Sequence, residues 1–389
     1  MLHEYDLTQL IQPLCGWFLQ NARKLPWRDD PTPYHVWVSE IMMQQTRVEA
    51  VKSYYTRFIK ALPDVTALAQ CEEDVYLKLW EGLGYYSRVR NLHAAAVQIM
   101  QEYDGRIPDD YGTLLKLKGI GSYTAGAIAS LAYEKPEPAV DGNVLRVLAR
   151  VSADDTDILD PGFKKETERL LRELLKECCS SPKDTEPEDA GKESARRDGS
   201  EKAEIPSISP RIFNQALMEL GALVCVPNGA PNCEICPWRD LCLARKMQLT
   251  DKLPVRAKKK ERRKEEKTIL LIRDGDKIAL HKRPSKGLLA GLYEFPNKQG
   301  HLSESQVISL VRDMGYSPLR IKRLADSVHI FSHVEWHMIG YSVLVEEEAF
   351  ATKEQKQRAA MEELVFADAG EQKEHYALPS AFAAYRKDI

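Results

Sequence analysis

The chain has 389 residues, 43% of them hydrophobic and 29% charged, with a formal net charge of −3. That length accommodates two domains, each able to bury a core, and no apolar run approaches the roughly 20 residues of a membrane span. The opening Met1–Leu10 carries acids and no apolar leader segment, so export is not expected. Eight cysteines in such a chain suit a reducing, cytoplasmic setting and a ligand role better than a disulfide framework.

Up to about residue 245 the texture is helical. Apolar residues recur at helical spacing in Tyr34–Leu62, Val75–Gly82, Arg90–Tyr103, Ala125–Tyr133 and Phe163–Cys178, with Gly and Pro at the breaks. Leu25-Pro26-Trp27-Arg28 sets an aromatic plane beside a cation, a pair suited to stacking on an extruded base. Glu40 follows on the Tyr34 helix, and Gln44, Gln45, Thr46 and Arg47 are expected to continue that helix as groups a duplex would meet. Gly82-Leu83-Gly84-Tyr85-Tyr86-Ser87-Arg88 places two aromatics and an Arg in a Gly-rich turn, a shape for wedging into a base stack. Each of these, taken singly, is equally well read as ordinary packing.

Gly119-Ile120-Gly121-Ser122-Tyr123-Thr124-Ala125 is a Gly-x-Gly turn opening into an Ala-rich helix, where backbone N–H groups can approach a phosphate. Asp141, in Val140-Asp141-Gly142-Asn143, reads either as a helix N-cap or as a reactive carboxylate. Lys183–Glu204 holds eight acids and five bases with almost no apolar residues. It cannot bury enough surface to order itself and is expected to be a disordered acidic insertion over about 180–208. Next come Cys225, Cys233, Cys236 and Cys242, spaced C-x7-C-x2-C-x5-C in a Pro- and Gly-rich loop. Thiolates that dense suggest a metal centre; a single C-x2-C pair suits a [4Fe–4S] cluster better than zinc, which stays the alternative.

Residues 246–267 are expected to form a basic linker, with nine bases and three acids between Lys252 and Lys267. Beyond it the pattern is α+β: a hairpin of Thr268–Arg273 and Lys277–Lys282, strands at Ile321–His329, Glu335–Val345 and Glu363–Phe366, and a helix at Ser303–Met314.

The run LPWR, SEIMMQQT, GLGYYSR, LKGIGSYTAGAI, VDGNVLRVLAR and FNQALMELGA, with the Cys loop, resembles the adenine DNA glycosylases of the MutY type, within the helix-hairpin-helix glycosylase superfamily. The resemblance spans Leu25 to Cys242 and continues to Ile330-Phe331-Ser332-His333. It departs from the family in the first Cys gap, which is one residue longer, and in the length of the acidic insertion. The fold it implies is multidomain: an all-α glycosylase domain over 1–245, then an α+β Nudix-like domain over 268–389. The second domain lacks an R-E-x-x-E-E run in Ser303–Gly315 and so lacks the carboxylates that would hold magnesium. It is read as a lesion reader, not a second enzyme.

The implied activity is base-excision repair: removal of adenine mispaired with 8-oxoguanine or guanine, leaving an abasic site for a downstream endonuclease. Glu40 is expected to protonate adenine N7, Asp141 to stabilise the oxocarbenium-like sugar, Asn143 to orient Asp141, and Tyr123 to lie over the reaction centre. Trp27, Arg28 and Gln215 would form the adenine pocket. Gln45, Thr46 and Tyr85 would occupy the gap in the duplex, and Phe331, Ser332 and His333 would read 8-oxoguanine. Gly119 and Gly121 would grip phosphate, with a monovalent cation on the hairpin carbonyls. The resemblance further implies a [4Fe–4S] cluster on Cys225, Cys233, Cys236 and Cys242, a monomer working on nucleoid DNA, and no membrane partner. Tyr123 stands where endonuclease III-like relatives carry a Schiff-base Lys, which implies a monofunctional enzyme; Lys116 and Lys118 nearby leave room for slow adventitious lyase activity, and a bifunctional glycosylase/lyase of the endonuclease III type is the first competitor. A DNA-binding protein with a merely structural metal site is the other alternative.

Overall fold

The computed structural model describes residues 2–179, 208–257, 261–347 and 364–388; the acidic insertion lies outside the described residues. The chain folds as two compact units. Unit 1 comprises Met1–Ala69 and Asn91–Lys258, and unit 2 comprises Gln70–Arg90 and Lys259–Ile389. The grouping of Gln70–Arg90 with the C-terminal residues differs from the linear boundary near 245 that composition suggests.

In unit 1, α1 (Ile11–Asn21) is followed by the short α2 (Pro26–Asp29), α3 (Pro33–Met43), α4 (Val48–Ala61) and α5 (Val65–Gln70). Thr32 starts α3: its hydroxyl accepts the His35 N–H, and Pro33 fills the first position, where no N–H is needed. The continuous Tyr34–Leu62 helix expected from periodicity is broken, because Gln45 takes a left-handed φ of 58°. Gln44, Gln45 and Thr46 therefore form a turn between α3 and α4 rather than a helix face.

α6 (Glu73–Leu79) belongs to unit 2, and α7 (Ser87–Glu102) runs from there back into unit 1. The one-turn α8 (Tyr111–Leu114) leads through the Gly119 turn to α9 (Ser122–Ala127), which widens into a π-helical turn at Ile128–Ala132. Gly126 is there for close approach: a Cβ on it would lie 2.0 Å from the Pro138 carbonyl oxygen. α10 (Gly142–Val151), α11 (Pro161–Cys179), α12 (Pro210–Leu223) and α13 (Leu243–Lys246) complete the unit. Leu14, Phe18, Val147, Leu148, Leu217, Leu220 and Trp238 share one core. Trp238 also donates its indole N–H to the Leu10 carbonyl at 2.9 Å, tying the Cys loop to the start of α1.

Unit 2 is built on a seven-stranded mixed sheet in which β3 (Tyr293–Glu294), β2 (Lys277–Lys282), β1 (Arg263–Asp274), β6 (Val334–Glu347) and β5 (Tyr316–Ile330) lie in that order. β4 (Asn297–Gln299) pairs with β1, and β7 (Leu364–Ala367) with β2. β1 and β6 are parallel, with Thr268 opposite Ile339. Ile269 and Leu271 enter one core and Leu270 and Ile272 the other, so the central strand reads as an unbroken apolar run. β1 begins at Arg263, so the last five residues of the expected linker are strand. α14 (Glu304–Asp313) carries a Ser303/Gln306 capping box, and α15 (Ala369–His375) an Asp368/Glu371 one.

Candidate active site

A cavity of about 490 Å³ opens in unit 1 between α2, α3, the Gln44–Thr46 turn, α9, the start of α10 and α12. Its size is within the range of small-molecule pockets. Trp27, Arg28, Glu40, Gln45, Thr46, Tyr123, Asp141, Asn143 and Gln215 line it, bringing nine of the residues singled out in sequence to one place. Gly119, Gly121, Tyr85 and Phe331–His333 are not among its lining residues. Tyr85 and the Phe331–His333 turn belong to unit 2.

The two carboxylates arrive by different routes. Glu40 sits in the last turns of α3, 4% exposed, and burial raises its pKa to about 7. A hydrogen bond from the Tyr123 hydroxyl to Oε2 of Glu40 opposes that rise, and the Asp141 charge adds to it. Tyr123 itself is held well above its usual range by burial and by both carboxylates, so it remains a phenol. Its hydroxyl also meets the Met218 sulfur at 3.3 Å.

Asp141 is at once an N-cap and a cavity wall. Oδ1 accepts the N–H groups of Asn143 at 2.9 Å and Val144 at 2.8 Å, and Oδ2 accepts Asn143 Nδ2 at 2.6 Å. Burial raises its pKa, while these three donors and Arg146 pull it down. The N-cap reading of Asp141 therefore holds, and the same carboxylate lines the cavity.

Supporting residues that sequence patterns did not single out surround this pair. Arg146 donates to Asn143 Oδ1 at 2.9 Å, to the Gly221 carbonyl at 2.8 Å and to the Cys225 carbonyl at 2.8 Å. Glu219, 1% exposed, accepts Arg23 through Nε and Nη2, both at 2.8 Å, and Arg28 Nη2 at 3.0 Å. These partners outweigh its burial and bring its carboxyl down to about 2. Arg28 is thus fixed to Glu219 and to the Arg23 carbonyl, with its guanidinium over Phe18. The available clue was spacing: Glu219 is one helical turn beyond Gln215 on α12. Trp27 is clamped edge-to-face on Tyr55 at 5.4 Å.

Cys225, Cys233, Cys236 and Cys242 line a second, smaller cavity together with Arg150, Arg239 and Arg245. Arg150 Nη1 lies 3.3 Å from Cys225 Sγ. Burial pushes Cys236 up to about 12 and also raises Cys233 and Cys242. Among the described residues, no three His, Cys, Asp or Glu side chains converge at the spacing of a single metal ion.

In the turn between β5 and β6, Phe331 N–H bonds the Val334 carbonyl at 2.8 Å. The Phe331 ring is flanked edge-on by His329 at 4.6 Å and by Trp336 at 4.8 Å. Ser332 and His333 are exposed at its tip.

Glu40 and Asp141 thus share one helical pocket, beside a Gly-turn hairpin and a four-Cys loop. Residues 38–177 match the HhH-GPD superfamily of base excision DNA repair proteins, and residues 268–387 match the NUDIX domain. The chain is 32% identical to the Mus musculus adenine DNA glycosylase over 89% of its own length and 73% of that protein's. It is equally identical to the enzyme of Buchnera aphidicola subsp. Baizongia pistaciae, over 84% of each chain. A thermostable thymine-DNA glycosylase shares the fold of 62% of this chain, with a TM-score of 0.50 and 24% identity. The chain belongs to the adenine DNA glycosylase family.

Proposed function

We propose that this chain excises adenine opposite 8-oxoguanine or guanine from duplex DNA and leaves an abasic site without cutting the strand. The observation that carries the reading is one cavity holding Glu40 with a pKa near 7 beside a hydrogen-bonded Asp141. Cleaving an N-glycosidic bond needs a proton for the departing base and negative charge beside the oxocarbenium-like sugar. Glu40 supplies the first: at neutral pH a large share of it is protonated, as a general acid must be. Asp141 supplies the second, its lone pairs aimed by Asn143 and the start of α10. Trp27, Arg28 and Gln215 hold the extruded adenine, with Glu219 locking Arg28 in place. Gln45, Thr46 and Tyr85 fill the gap, the Phe331–His333 turn reads the opposite base, and the Gly119–Gly121 hairpin takes phosphate and a monovalent cation.

Tyr123 supports the monofunctional assignment. Its phenol cannot form an imine, and none of the residues lining the cavity is a lysine. Single-turnover release of adenine from duplexes bearing 8-oxoguanine, guanine or thymine opposite it tests the whole reading. Release opposite 8-oxoguanine, with breaks only after alkali, is the expected result; breaks without alkali would move the reaction to a lyase.

The four cysteines fit a [4Fe–4S] cluster. They line one small cavity together, and Arg150, Arg239 and Arg245 beside them would offset the negative charge that a thiolate-ligated cluster carries. When bound, the cluster would supply a rigid charged scaffold for the loop; excision itself needs no step through it. Iron and sulfide in equal amounts, about four each per chain, are expected on analysis of the purified protein, whereas one zinc per chain would overturn the assignment.

A further inference from the structure

The turn that carries Tyr85 is held in a costly shape. Gly82, Gly84 and Tyr85 have φ of 100°, 71° and 47°, and Tyr85 projects into solvent. A left-handed aromatic residue persists only where its surroundings over-determine it. On one side Trp80 Nε1 bonds the Gly84 carbonyl at 3.1 Å. Arg88 Nη2 bonds the Leu83 and Gly84 carbonyls, with its guanidinium over the rings of Trp80 and Tyr85. On the other, Glu81 is the residue directly before the turn. Its Oε2 accepts Lys78 Nζ at 2.6 Å; its Oε1 accepts the Leu378 N–H at 3.3 Å and Arg386 Nη2 at 2.5 Å. Lys78 in turn donates to the Gln372 and Tyr376 carbonyls.

The segment that grips Glu81 also supports the Phe331 turn. Leu378, Phe382 and Tyr385 share a core with Trp336, against which Phe331 packs. Tyr85 and Phe331 are thus mounted on one block within unit 2. Telling 8-oxoguanine from guanine turns on small differences at the base edge, so the reading groups must be held at a fixed separation. We propose that Glu81 is a positioning residue for recognition of the base opposite adenine: it bolts the Tyr85 turn to the same C-terminal segment that carries the Phe331 turn. This rests on the reading of Tyr85 as a residue that enters the duplex at the lesion.

The test compares Glu81→Gln and Arg386→Gln with the unaltered protein. The readouts are single-turnover adenine release opposite 8-oxoguanine and opposite guanine, and fluorescence of 2-aminopurine placed beside the opposite base, which brightens when stacking is broken. Both variants are expected to lose about tenfold in rate opposite 8-oxoguanine, the cost of one charge-assisted hydrogen bond. The guanine rate should stay within about twofold, the 2-aminopurine signal should weaken, and melting should be nearly unchanged. Equal losses on both substrates with a lowered melting temperature would reduce Glu81 to a fold-stabilising role and overturn the proposal, as would an unchanged ratio and signal. Tyr85→Ala separates the two levels. If it shifts the ratio while Glu81→Gln does not, only this proposal falls; if it too leaves the ratio unchanged, the reading of Tyr85 falls with it.

Discussion

The Tyr123 hydroxyl donates its hydrogen bond to Glu40, joining the helix after the Gly119 turn to the last turns of α3. That bond favours the ionised carboxylate, so it holds back the rise that burial imposes on Glu40. The phenol therefore tunes the proton donor without exchanging its own proton.

Replacing Tyr123 by Phe removes this restraint, and the pKa of Glu40 should rise further. Excision rates should fall as pH climbs through about 7 in the unaltered protein. In Tyr123→Phe the same fall should move to higher pH, with the low-pH plateau reduced less than about tenfold. A single-turnover pH profile decides the matter, and a shift to lower pH would contradict the assignment of Glu40 as the acid.

Glu40 also makes the protein less stable than it need be. Its folded pKa of about 7 exceeds the ordinary carboxyl value of 4.5, so the folded state binds the proton more tightly. The stability this contributes is complete below 4.5 and is lost as pH rises through about 7. Glu40→Gln should melt higher than the unaltered protein at pH 8, by an amount on the order of 2–3 kcal/mol, and the gain should vanish near pH 4.5. Thermal melts at the two pH values would show it; a gain independent of pH would point to packing instead.

Asp141→Asn separates cap from chemistry. Asn keeps an oxygen to accept the Asn143 and Val144 N–H groups, so stability should change by less than ~1 kcal/mol. Loss of the negative charge should cut base release by roughly a thousandfold or more while duplex affinity stays within about twofold. Wild-type turnover in this variant would refute the mechanism.

Gly221 offers a test at one remove from the reacting groups. A Cβ there would lie 2.6 Å from Asn143 Cβ and 3.4 Å from Arg146 Nη2. Gly221→Ala should displace Asn143 from Asp141 and slow excision about 10- to 100-fold. The stability cost should be about 1–3 kcal/mol, typical of overpacking. Rates and binding measured on the same preparation would show whether the loss falls on chemistry.

Much of the site could be read from the chain, because Glu40, Tyr123, Asp141 and the cysteines stand beside Gly, Pro and cap residues that mark local turns. Glu219 could not be read so: within Met218-Glu219-Leu220 it looks like a solvated helix position, and only folding places it against Arg23 and Arg28. The break at Gln45 was hidden for a related reason. Apolar periodicity continues across it, and a left-handed Gln carries no compositional mark. In the second unit the alternation of β5 and β6 gave the strands but underestimated them, since their ends pair through polar residues. The attachment of Gln70–Arg90 to the C-terminal residues includes ion pairs such as Asp74 with Lys282, 208 positions apart and 2.8 Å across, which no local pattern encodes.

Because Gln70–Arg90 belongs to the C-terminal unit, the chain leaves unit 1, crosses to the second body, returns, and crosses again near Lys258. On the ribosome, α6 emerges long before Lys282 of β2 and the Gln372–Tyr376 segment, which receive Asp74 and Lys78. Domains that are contiguous in sequence can finish folding one after another during synthesis; here the second body cannot close until Arg386, the partner of Glu81, has been made. The charged face of α6 must wait, solvated, for those partners, and the Tyr85 turn acquires its final form only after they have emerged.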